Sequence, residues 1–181
     1  MMILASASPR RKELLAFINK DFEIKVSSVD ETLPNGISPK EAVEYLSKIK
    51  ACAIDAGDDI VIGADTVVAF DDVILGKPCD EDDAVKMLKD LSGRTHSVFT
   101  GVTVKQGEKI KTFSVETKVE FFDLTDDEIK RYVATGEPMD KAGAYGIQGF
   151  GSLLVKKIDG DYFNVVGLPV SALNRVLNDW K

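Results

Sequence analysis

Hydrophobic and polar positions along the chain switch repeatedly between a period of two and a period near 3.6. Met2 to Ala5 is an apolar run of strand length. Ser8 reads as a helix N-cap with Pro9 at the first helical position, where its missing N–H costs nothing. Leu14, Leu15 and Ile18 give that helix its apolar side, and Phe22 to Val26 alternates as a strand. Ser38-Pro39-Lys40-Glu41 is a capping box that opens a long helix to about Ala56. Ile60 to Phe70 is apolar on both faces, the mark of a central strand, and Asp71-Asp72 turns tightly into Val73 to Leu75. Asp80 to Asp83 starts an acidic-first helix carrying Ala84, Met87, Leu88 and Leu91, stopped by Gly93. Ser97 to Val104 and Lys109 to Phe122 read as strands joined near Gln106-Gly107. Thr125 to Glu128 is a second capping box, leading a helix to about Thr135. A loop with Gly143, Gly146, Gly149 and Gly151 precedes expected strands at Leu153 to Ile158 and Tyr162 to Val166. Pro169 opens a last helix with Val170, Leu173, Leu177 and Trp180 on one stripe. Crossover units mixed with hairpins predict an α/β fold with a mixed sheet.

Composition narrows the function classes. With 181 residues, 44% hydrophobic and 29% charged, the chain suits one soluble domain, residues 1–181, rather than disorder, a coiled coil or a membrane bundle. A net charge of −7 disfavours a broad nucleic-acid surface but leaves room for a local basic pocket holding one phosphorylated small molecule. One histidine and two cysteines remove most zinc sites and any disulfide framework. The longest apolar run, Ile60 to Phe70, is broken by Asp65, so no membrane span is expected. The N-terminal stretch meets Arg10, Arg11 and Lys12 too soon for a signal peptide, and a cytoplasmic protein is expected.

Candidate chemistry shows as local conflict. Arg10 and Arg11 at a helix start oppose the macrodipole unless an anion docks there; pointing into water or pairing with Glu13 is the structural alternative. Lys50 falls inside the stripe Ala42, Val43, Leu46, Ile49 and Ala53, so it either has a partner or snorkels. Asp65 sits in the middle of a buried strand, where a carboxylate needs a metal or a cation, unless Gly63 bulges and turns it to solvent. Lys77, in Gly76-Lys77-Pro78, stands between a strand end and a helix start, and Gln148 in the glycine loop can read a base edge through paired donor and acceptor. His96 and the pairs Asp58-Asp59, Asp71-Asp72 and Asp82-Asp83 receive no functional role. With Glu31, the set of several cations and one or two carboxylates is what a polyphosphate with Mg²⁺ or Mn²⁺ needs.

Five ordered stretches resemble the Maf family: Leu4 to Arg11, Ile62 to Thr66, Gly76-Lys77-Pro78, Leu91 to His96 and Lys141 to Gly149. The resemblance implies a nucleoside triphosphate pyrophosphatase with a twisted mixed sheet flanked by helices and two lobes around one cleft, shared with the inosine-triphosphate pyrophosphatases. It places the catalytic aspartate on Asp65 and the other cleft residues on Ser8, Arg10, Arg11, Glu31, Lys50, Lys77 and Gln148. Arg11, Thr66 and Gln148 match the branch acting on dTTP and UTP. In that reading Asp65 activates water, directly or through a divalent cation shared with Glu31. Other modified or purine nucleotides, or a nucleotide-sensing role in cell division, are the competing expectations. A homodimer rests on the resemblance alone.

Overall fold

The computed structural model describes residues 1–180. Its seven strands are β1 (Met2–Leu4), β2 (Phe22–Ile24), β3 (Ile60–Phe70), β4 (Val73–Leu75), β5 (Thr95–Gln106), β6 (Lys109–Phe121) and β7 (Val155–Asp159). The helices are α1 (Pro9–Leu15), α2 (Pro39–Cys52), α3 (Glu81–Leu91), α4 (Asp126–Val133), α5 (Tyr162–Val166) and α6 (Val170–Asn178). The strands form one sheet in the order β2-β1-β3-β5-β6-β7, with β4 paired to β3. β1 runs parallel to β2 and β3, and all other pairings are antiparallel. Among the described residues no helix is long and apolar enough to cross a membrane.

The start signals operate as the sequence predicts. Ser8 caps α1, with its hydroxyl facing the Arg11 amide. Both capping boxes close reciprocally, Ser38 with Glu41 and Thr125 with Glu128. Element ends are less faithful. α2 stops at Cys52 rather than near Ala56, and β7 begins at Val155 because Gly149–Leu154 forms a 3-10 turn.

One element changes type. The residues Tyr162–Val166, expected to be a strand, form the short helix α5. Asp161 caps it by accepting the Phe163 amide, and Gly167 ends it in a left-handed conformation. Tertiary bonds then override the aromatic and β-branched composition: the buried Asn164 amide donates to the Val98 carbonyl and the Thr117 hydroxyl.

The α2 face also differs from the expected stripe. Ser47 and Ala51 are fully buried, whereas Ile49 is only half-buried and Ala53 is exposed. Two glycines explain this. A Cβ at Gly63 would run into the Ser47 carbonyl and the Ala51 amide, and one at Gly101 would meet the backbone of Val43 and Glu44. The helix therefore lies almost on the sheet, and small side chains occupy the contact.

Two apolar clusters flank this region. One joins Leu4, Leu14, Leu15, Ile62, Leu168, Leu173 and Trp180; the other joins Leu88, Leu91, Val98, Phe121, Ile129 and Tyr145. Between them β3 carries β5 along one edge without interruption. Its other edge is paired with β1 up to Ile62 and with β4 from Val68 onward. The intervening stretch has an open edge, and it follows the carboxyl end of parallel β1. A crevice at that position is where open α/β sheets hold ligands.

Candidate active site

A cavity of about 510 Å³ opens at this gap, within the usual size range of small-molecule sites. Ser8, Arg10, Arg11, Glu31, Lys50, Asp65, Thr66, Lys77 and Gln148 all line it. The gap in β3 explains how neighbours in sequence can share one cavity. Asp65 and Thr66 point to opposite faces of the strand, yet an open edge leaves both faces in reach of the same space.

The floor of the cavity is ionic. Asp65 continues the face of β3 that carries Gly63, so the helix that lies on Gly63 also covers Asp65. Lys50, on that helix, sends its ammonium to Asp65 Oδ1 at 2.6 Å and to Glu31 Oε2 at 3.0 Å. The Lys50 and Asp65 side chains are only 14% and 13% exposed, so each supplies the counter-charge the other needs, while Glu31 is 55% exposed. Neither the snorkelling lysine nor the bulge at Gly63 is realised.

The two arginines of α1 differ. Arg10 makes no hydrogen bond or ion pair among the described residues, and neither does exposed Lys77. Both hold unspent donors at the cavity. Arg11 is a strut instead: Nε donates to the Gly167 carbonyl at 2.9 Å, Nη1 to the Ser6 hydroxyl at 3.3 Å and Nη2 to the Thr66 hydroxyl at 3.1 Å. Burial lowers its pKa, and the negative charge of Asp65 works in the opposite direction. Five cationic and three carboxylate side chains line the cavity, a local excess of two positive charges on a chain of net charge −7. Such an excess concentrates anions.

The far wall is the glycine loop. Gln148 is exposed at its lip, and the loop is held by residues that the sequence pattern does not reveal. Glu137 accepts the amides of Phe150 and Gly151 and the Tyr132 hydroxyl, at 2.9–3.0 Å. The Tyr132 oxygen in turn accepts the Gly146 amide at 3.2 Å. Burial pushes the Tyr132 phenol up, so it stays protonated and keeps both bonds. Gly143 donates to the Gly76 carbonyl, tying the loop to the segment that carries Lys77. Lys141 is occupied with Asp140 and the Glu137 carbonyl. Behind the wall His96 is 2% exposed and shares a hydrogen bond of 2.7 Å with the Tyr145 hydroxyl. Burial pushes the His96 pKa down to about 4.

The donor set suits a hard divalent cation. Glu31 and Asp65 meet at one ammonium, so two carboxylates converge, and Mg²⁺ ordinarily takes one or two protein carboxylates together with substrate phosphates. Among the described residues no group of three or more His, Cys, Asp or Glu side chains that could hold a metal occurs.

A protein of Bacillus cereus (strain B4264) named dTTP/UTP pyrophosphatase is 52% identical over 181 residues, covering 99% of this chain and 95% of its own. A protein of the same name from Geobacillus sp. (strain WCH70) is 55% identical over 172 residues, covering 94% and 92%. Among solved structures, the Staphylococcus aureus Ham1 protein superposes with a TM-score of 0.57 over 99% of both chains at 15% identity, a likeness of fold alone. The family described as Maf-like protein matches residues 1–180, and the chain belongs to that family.

Proposed function

We propose that this protein is a nucleoside triphosphate pyrophosphatase that converts dTTP and UTP, with water, to the monophosphate and pyrophosphate. The observation that carries the reading is Asp65, a carboxylate set in an apolar strand and facing a cavity with an excess of cations. Relatives at 52% and 55% identity, named for this activity, support the choice of substrate. The unbroken sheet supports treating residues 1–181 as one domain whose two lobes enclose the cleft.

The chemistry follows from what each side chain can do. Attack at phosphorus spreads charge over the phosphoryl oxygens, so fixed cations matter more than covalent chemistry. Arg10 and Lys77, with uncommitted donors, bind the phosphate chain, and the Ser8 hydroxyl stands beside them. Asp65 orients the attacking water and accepts its proton. Lys50, bonded to its carboxylate at 2.6 Å, holds Asp65 in place. A divalent cation held by Glu31 and Asp65 with phosphate oxygens would supply neutralisation of the charge that develops on the leaving pyrophosphate. Thr66 and Gln148 contact the base, and Arg11 fixes Thr66.

A panel of nucleoside triphosphates with pyrophosphate detection tests the reading. Release from dTTP and UTP well above release from GTP, abolished by a chelator and restored by Mg²⁺ or Mn²⁺, is the expected result. Absence of pyrophosphate from both pyrimidine substrates overturns it.

A further inference from the structure

A chain of hydroxyl groups runs from the cavity into the core, and its direction is set at both ends. Arg11 Nη2 can only donate, and it donates to the Thr66 oxygen at 3.1 Å. At the other end, the carbonyl of Asn164 can only accept, and the Thr100 hydroxyl donates to it at 2.8 Å. Thr100 has one proton, and that carbonyl takes it. The contact of 2.9 Å between the Thr66 and Thr100 hydroxyls therefore has a single direction, with Thr66 donating. Thr100 is completely buried, so no solvent competes at its hydroxyl. The carbonyl cannot move away freely, because Asn164 is also completely buried and its side chain is bonded to the Val98 carbonyl and the Thr117 hydroxyl.

The Thr66 hydroxyl has one proton and two lone pairs. Its proton goes to Thr100, and one lone pair receives Arg11. What remains for the cavity is a single acceptor. We infer that Thr100, a residue outside the cleft, fixes the polarity of Thr66 so that the site reads a donor on the substrate, the imide N3–H common to uracil and thymine. This rests on the proposed activity toward dTTP and UTP, and it deepens that reading. When attached to a sugar, the uracil ring has one N–H, at N3, between two carbonyls. Cytosine has a lone pair at the same position, which an acceptor repels. A Thr66 hydroxyl free to rotate would serve both bases. Thr100 is thus a positioning residue for base selection, with no contact to substrate.

The experiment measures kcat/KM for UTP and CTP in the parent, Thr100→Val, Thr100→Ser and Thr66→Val. Thr100→Val keeps the shape, removes the acceptor and frees the Thr66 proton, so the UTP:CTP ratio falls by about tenfold or more. Thr100→Ser restores the ratio of the parent. Thr66→Val, which removes the acceptor itself, lowers UTP turnover more than CTP turnover and carries the test if Thr100→Val fails to fold. An unchanged ratio in a folded Thr100→Val, or in Thr66→Val, overturns the inference, as does a parent that hydrolyses UTP and CTP equally. A parallel loss on both substrates also overturns it, because Thr66 then meets the sugar. If the parent releases no pyrophosphate from UTP or dTTP, the proposed function itself fails, a separate outcome.

Discussion

The floor and the far wall of the cleft are built by opposite means. The floor puts Asp65 on the long strand β3 and Lys50 on the fourteen-residue helix α2, whose spacing is fixed by backbone contact at Gly63. The wall puts Gln148 on a glycine loop with no regular pairing and fastens that loop by the side chains of Glu137 and Tyr132. The charges of the floor are held on rigid elements. The wall is a loop pinned from behind. Damage to the floor should lower rate with the fold intact, and damage to the wall should change substrate choice and binding.

The largest effect expected is at the floor. Asp65→Asn should lower kcat on dTTP by about 10²–10⁴, the range for losing a general base, with the circular dichroism spectrum of the folded parent retained. A rate equal to the parent would remove Asp65 from proton transfer.

The wall makes a pH-dependent contribution. In the fold His96 is held at about 4, against an ordinary 6.5. On acidification the unfolded chain takes up the proton first. The stability that His96 contributes is complete above pH 6.5 and lost progressively toward pH 4, by roughly 3 kcal/mol. Denaturant titrations across that window should show a steeper loss for the parent than for His96→Gln. Equal slopes would mean that the histidine is not buried uncharged.

Smaller effects separate the two regions further. Glu137→Ala leaves two loop amides and the Tyr132 hydroxyl without their acceptor, and should cost about ten- to fiftyfold in kcat/KM, mainly through KM. A loss in kcat alone, with KM unchanged, would place Glu137 with the floor. Substituting Gln148 by Ala should change the preference for dTTP over GTP by a few-fold to about tenfold, more than it changes kcat on the better substrate. An unchanged preference would take Gln148 out of base recognition.

The same contrast decides what could be read from the sequence. Asp65 and Lys50 stand out because they break the apolar pattern of regular elements, and a charge in such a pattern must have a partner. The capping boxes and Pro9 mark helix starts by local bonds, and these need no tertiary information. Glu137 breaks no pattern; it lies on a 3-10 turn after α4, and its meaning comes only from amides more than ten residues away. Tyr162–Val166 has the composition of a strand, and becomes helical because Asn164 is bound inside the core. Arg10 and Arg11 look equivalent in the sequence, yet the first is uncommitted and the second is spent on Gly167, Ser6 and Thr66. Direction along a hydroxyl chain, as at Thr66 and Thr100, requires the fold.

In the proposed reaction, water held at Asp65 attacks the α-phosphorus of a triphosphate bound across this cleft. Hydrolysis of UTP in water enriched in heavy oxygen tests it directly, with the label followed by mass spectrometry. Attack at the α-phosphorus puts one labelled oxygen in the monophosphate and none in pyrophosphate. Label in pyrophosphate, or release of single phosphates in its place, would contradict it.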